Sequence, residues 1–243
     1  MKKIFLSISC LLMAINIFAQ KVPSHQTWDK LLKKHVNAAG MVNYKGFKND
    51  KSEFDAYLKT LSDNAPQKNW SENDQIAFWI NAYNAFTISL ILQHYPVKSI
   101  KDIGGKIYKI NTAWDIKFVN IGREKYDLNN IEHKILRKFN DPRIHFAIVC
   151  ASMSCAKLRR EAYTGSKLET QLNDQGKDFL NDKAKNNIRV DKAELSKYFS
   201  WYGGDFTKNG NLVDFINKYS QTKINSKTKI SYKDYNWSLN EQK

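Results

Sequence analysis

The segment from Glu72 to His94 constrains the fold more than any other. It carries Ile76-Ala77-Phe78-Trp79-Ile80-Asn81-Ala82-Tyr83-Asn84-Ala85-Phe86. On a helix these apolar side chains point in nearly every direction, and a helix apolar all round has to be enclosed. Ser71 precedes it as a cap, and Tyr95-Pro96 ends it. The rest of the chain is therefore expected to surround this helix. Asn81 and Asn84 lie three apart on one flank. A buried amide left unpaired costs about 1–3 kcal/mol. Both are expected to be hydrogen-bonded, either as clamps on a neighbouring loop or as pocket residues orienting a histidine or binding an oxyanion.

The ends and the charge bound the class. Residues 1–19 read as a secretory signal: Lys2 and Lys3, an apolar stretch from Ile4 to Ile17, and the small-residue site Ile17-Phe18-Ala19 before Gln20. That stretch is too short for a membrane span, and no transmembrane segment is expected in the mature chain. Cys10 as a lipidation site is disfavoured, because Ser7 stands three before it and little apolar core precedes it. Residues 20–243 are then one exported domain, periplasmic or extracellular. The formal net charge is +15. Loss of the two lysines in 1–19 leaves 37 − 24 = +13. Such a charge suits solubility and, as an alternative, contact with anionic envelope polymers. Lysines are scattered and no nucleic-acid motif is present, so no nucleic-acid partner is expected.

Along the chain, helical periodicity marks 23–36, with Trp28, Leu31, Leu32 and a half-exposed His35, and 52–61, with Phe54, Tyr57, Leu58 and Leu61. A hairpin is expected over 115–128 around Gly122-Arg123, then a helix over 129–139. On that helix Glu132 falls within the apolar arc of Leu128, Ile131, Ile135 and Phe139, while His133 falls outside it. An inward carboxylate needs a partner, with Arg143, His145 or a lysine as candidates. Further on, Ser166 to Glu169 has capping-box spacing before a helix to about Leu180. A strand is expected at 187–191, a short helix at 192–199, an aromatic loop at 201–206, a helix at 212–219 and a strand at 229–232. The irregular mixture predicts an α+β domain, with a buried central helix packed on a small sheet.

Chemistry concentrates at Arg143-Ile144-His145-Phe146-Ala147-Ile148-Val149-Cys150-Ala151-Ser152-Met153-Ser154-Cys155-Ala156-Lys157-Leu158. Its first half is expected to be a buried strand, followed by a tight turn and a helix start capped by Ser152 or Ser154. In a straight strand His145 would lie ~16 Å from Cys150 and face the other way.

Phe78 to Ala85, Ile131-Glu132-His133 and Pro142 to Cys155, in that order, resemble the hallmarks of domain-of-unknown-function family 547. The similarity extends from about Val42 to Leu239 and includes Asp234 to Leu239. The resemblance implies no established reaction. One departure is Ala156, where the family usually has a proline after its second cysteine.

Two readings of Cys150 and Cys155 stay open. Export favours a disulfide between them. Alternatively Cys155 is a nucleophile, its thiol acidified by a helix N-terminus as in papain-like and transglutaminase-like enzymes. His145, His133 and Glu132 are then the candidate acid–base groups, with Asn81, Asn84, Arg143, Ser152 and Ser154 as binding candidates. No metal-ligand spacing or phosphate-binding glycine loop is present, so neither a metal nor a cofactor is expected. The expected activity is that of a thiol-dependent hydrolase or acyl transferase acting on envelope peptides or amides. The alternative is a non-catalytic binding or structural module containing the Cys150–Cys155 bridge.

Overall fold

The computed structural model describes residues 21–105 and 111–243. The expected signal segment and Cys10 lie outside the described residues. Four helices open the fold: α1 (Gln26–His35), α2 (Tyr44–Asn49), α3 (Lys51–Asp63) and α4 (Glu72–His94). Trp28 of α1 stacks on Tyr57 of α3 at 5.5 Å, tying those two together. His35 is buried, against the half-exposed expectation, because its Nε2 bonds Asp50 Oδ2 at 2.6 Å.

Helix α4 is the enclosed centre. Ser71 Oγ accepts from Asp74 N, as its position predicts. By length and composition alone the helix is apolar enough to cross a membrane, but 89% of its most apolar window is buried inside the fold. It meets the hairpin of β1 (Val119–Ile121) and β2 (Glu124–Tyr126) through Trp79 on Tyr126, at 5.3 Å. The hairpin is antiparallel, with Val119 opposite Tyr126, and turns at Gly122, whose φ of 63° suits glycine.

Residues 129–139 are helical as expected, but wound as a π-helical turn over Asn130–Ile135 followed by a 3-10 turn over Leu136–Phe139. Glu132 nevertheless points inward.

The stretch from Arg143 departs most from expectation. It forms no strand; Pro142–Phe146 is a 3-10 helix. Asp141 caps it by accepting from Arg143 N at 2.9 Å, and Pro142 occupies the first turn, where its missing N–H loses nothing. The chain then turns at Ala151, whose φ is 55°. No helix starts after Cys155, so neither Ser152 nor Ser154 caps one. Helix α5 (Leu168–Asn181) begins instead after a 3-10 turn over Gly165–Lys167. The capping box does not form, since Glu169 pairs with Arg143.

The second sheet has the order β3–β4–β5, from β3 (Asn187–Ile188), β4 (Lys192–Leu195) and β5 (Lys229–Tyr232). β4 replaces the start of the expected 192–199 helix. It pairs antiparallel with β3 and parallel with β5 and buries Ala193 and Leu195, so tertiary pairing overrides its helix-forming composition. One-turn helices α6 (Tyr198–Trp201) and α7 (Gly203–Phe206) and then α8 (Leu212–Tyr219) complete the fold. The whole is a single α+β domain.

Candidate functional site

Three elements meet beneath a cleft of about 240 Å³. The 3-10 turn supplies His145, the π-helical turn supplies Glu132, and α4 supplies Tyr83. His145 is 2% exposed and lies flat on the Tyr202 ring, with centroids 3.9 Å apart. Its Nε2 is 2.8 Å from Asp205 Oδ2, and Asp205 also receives both arms of Arg137 at 2.7 Å each. The Arg137 guanidinium, with His145 adding to it, holds the Asp205 carboxyl down to about 2 despite partial burial. Asp205 is therefore an ionised acceptor, and His145 Nε2 must carry the proton.

That assignment determines what Glu132 meets. His145 Nδ1 stands 3.9 Å from Glu132 Oε1. Burial lowers the proton affinity of His145, although both carboxylates oppose this. In the neutral imidazole, Nδ1 presents a lone pair toward the carboxylate. Tyr83 reaches the other oxygen, Oε2, at 3.4 Å, and the Tyr202 hydroxyl also bonds this carboxyl, while Oε1 has no hydrogen-bond partner among the described residues. Glu132 is 5% exposed and lines the cleft. Its predicted partner Arg143 lies elsewhere, bonded to Asp141, Glu169 and Asn173. Those bonds, led by the one to Glu169, raise its affinity for its proton, and Arg143 lines a separate polar groove.

The cysteines, both free thiols, stand at and behind the same cleft. Cys150 lines the cleft, with Sγ 3.2 Å from Ser152 Oγ and 3.1 Å from Tyr235 OH. Cys155 is buried behind it, where Cys150 N donates to Cys155 Sγ at 3.0 Å and Tyr198 OH lies 2.9 Å from the same sulfur. Burial opposes ionisation of Cys155, but the bonds from Cys150 and Tyr198 outweigh it and bring the thiol to about 7. Cys150 is pushed up, first because its bond to Cys155 favours its protonated form and then by burial. The pair thus stabilises one thiolate, on Cys155, using hydrogen bonds where sequence reasoning invoked a helix dipole. The papain-like analogy depended on that helix start, which is absent here. His145 turns its nitrogens to Asp205 and Glu132 instead of a sulfur.

The remaining candidates separate clearly. Asn81 exchanges bonds with both backbone groups of Tyr163, at 2.8 and 3.0 Å. Asn84 donates to Ala147 O and accepts from Val149 N, each at 2.9 Å. Both are clamps, with their amides turned to backbone and away from the cleft. Ser154 exchanges bonds with the backbone of Asn236, and Ser152 Oγ donates to Tyr235 OH. His133 is exposed at the cleft rim, near Arg137.

Aromatic rings complete the walls: Trp201 is 4.8 Å from Tyr235, which is 4.5 Å from Trp237, and Trp114 packs edge-on to Trp237. Sequence reasoning missed Tyr83, Arg137, Tyr202, Asp205, Tyr235 and Trp237. The available signal was the lone carboxylate in Trp201-Tyr202-Gly203-Gly204-Asp205-Phe206, read there only as an aromatic loop.

Fold and site together define an α+β protein with an aromatic cleft lined by a carboxylate–imidazole array and by one thiol of a pair. Residues 67–180 match the family described as "Protein of unknown function, DUF547", in agreement with the resemblance in the motifs. The match spans α4, the hairpin, the Glu132 turn and the 142–155 stretch. Neither the curated proteins nor the solved structures contain a match.

Proposed function

We propose that the chain is a thiol-dependent hydrolase or acyl transferase, exported and acting on amides or peptides of the envelope, with Cys150 rather than Cys155 meeting the substrate. The supporting observation is that Cys150 and Glu132 line the same cleft while Cys155 is buried behind it. In this reading the Cys150 proton passes to the Cys155 thiolate as the Cys150 sulfur attacks a carbonyl carbon, forming a thioester. The leaving nitrogen takes its proton from solvent at the mouth of the cleft. Glu132, backed by His145 and Asp205, accepts the proton of the water or amine that opens the thioester. Cys155 then returns its proton to Cys150.

Native protein treated with iodoacetamide and mapped by mass should carry the label on Cys150. Cys150→Ala should lose both the label and amide turnover. Labelling confined to Cys155, or none before unfolding, would sink the assignment. The second reading, a binding or structural module with a Cys150–Cys155 bridge, draws support from the contact between Cys150 N and Cys155 Sγ. A non-reduced mass two hydrogens lighter than the dithiol chain, with no turnover after reduction, would establish it.

A further inference from the structure

Among the described residues Glu132 Oε1 has no hydrogen-bond partner, and its only close cationic candidate there is an imidazole that burial keeps neutral. A buried carboxylate oxygen without a partner is rare and calls for an explanation. Among the described residues lining the cleft, Glu132 is the one acidic side chain and none is a lysine or arginine. Arg137, nearby, is taken up by Asp205.

The walls point to the same complement. Tyr202, Trp201, Tyr235 and Trp237 present ring faces and edges around the opening. Two of these rings already have cations near them: Lys101 Nζ lies 5.3 Å from the Trp237 centroid, and the Arg137 guanidinium 5.9 Å from that of Tyr202. Ring faces favour cations by their quadrupole, and more so where water is excluded. A volume of about 240 Å³ is below the usual range of roughly 300–1,000 Å³ for drug-sized ligands, and suits a head group or one extended side chain.

We propose that the cleft receives an alkylammonium group, a lysine side chain or a simple primary amine, with Glu132 as its anion and the Trp201–Tyr235–Trp237 cluster as its wall. The ammonium places an N–H on Oε1, the position that Tyr83 and Tyr202 leave open. The alkyl stem runs along the rings toward Cys150. This goes beyond the acyl-transfer reading and does not depend on it; combined with it, the amine is the acyl acceptor or the side chain that anchors a peptide.

The test is titration of the full chain with n-butylammonium, followed by tryptophan fluorescence and calorimetry, with 1-butanol and butyrate as probes of similar length. The expected result is saturable binding of n-butylammonium and much weaker binding of the other two. Glu132→Gln should weaken the ammonium by about tenfold or more, the scale for removing one member of a buried charge pair. Trp201 is 46% exposed, so Trp201→Ala should fold and weaken binding severalfold even if Glu132→Gln is unstable. No saturable signal in the wild-type chain overturns the proposal. So does 1-butanol binding equal to n-butylammonium, or wild-type affinity in a folded Glu132→Gln. Amine binding is read on unlabelled protein, so it fails or holds separately from Cys150 labelling.

Discussion

Asn84 joins α4 to the turn that carries His145, using both ends of one amide. Asn84→Leu keeps similar bulk but leaves Ala147 O and Val149 N unpaired in the interior, and should destabilise by roughly 2 kcal/mol. An unchanged urea midpoint would show that water or a neighbour replaces the amide. His25 makes a pH prediction at the same scale. Its Nδ1 bonds Tyr57 OH at 2.8 Å, and burial lowers its pKa to about 4, with Asp74 opposing. The unfolded chain therefore binds a proton before the folded one does. Stability is full above the unfolded value of about 6.5 and declines as pH falls toward 4, by up to roughly 3 kcal/mol. His145 shifts in the same direction, so His25→Gln should flatten this acid limb without abolishing it, as followed by denaturation midpoints at pH 7 and 4.5. An equally steep limb in His25→Gln would assign the dependence to other groups.

Among the elements, those with long uniform periodicity were legible from sequence. Helix α4 begins after its Ser71 cap and ends at His94, and α8 occupies 212–219, because each repeats its pattern over two turns or more. Ser71→Ala removes the bond to Asp74 N on an exposed helix end and should cost about 1 kcal/mol, read as a lower thermal midpoint with little change at the cleft. Glu132 was placed inward from spacing alone, although the turn that carries it is π-helical. The 143–149 run was misread for a physical reason: burial requires only that Ile144, Phe146 and Ala147 be apolar, and a strand and a 3-10 turn satisfy that equally. Asp141 followed by Pro142 was the deciding signal, an acceptor side chain and a residue suited to a first helical turn. β4 was opaque in another way. Its Lys-Ala-Glu-Leu composition favours helix, and pairing with β3 and with β5, the latter more than thirty residues later, makes it a strand.

At the scale of the molecule, the cleft is assembled from distant parts of the chain. Glu132, His145 and Cys150 fall within the family-matched segment 67–180, whereas Tyr198, Tyr202, Asp205, Tyr235 and Trp237 follow it. Residues 234–242 also bind the two ends of the fold together. Asn240 accepts from Val42 N and Tyr44 OH, and its own N–H reaches Ala151 O; Leu239 N donates to Lys98 O, and Met153 N to Ser238 O. These bonds hold the backbone beside Cys150 while Tyr235 bonds its sulfur. A chain stopped after Lys233 loses them all, together with the burial of Leu239, and should be destabilised by about 5 kcal/mol. At roughly 2–4 °C per kcal/mol for a chain of this size, the melting temperature should fall by about 10–20 °C. The shortened chain should keep most of its helical circular dichroism, because the rings of Tyr235 and Trp237 pack on Tyr198, Trp201 and Trp114, outside α1–α4. Cys150 should then react with iodoacetamide faster than in the full chain, having lost Tyr235 and the Trp237 wall. A melting temperature unchanged within error, or a Cys150 labelling rate equal to that of the full chain, would show that the tail covers the cleft without holding it.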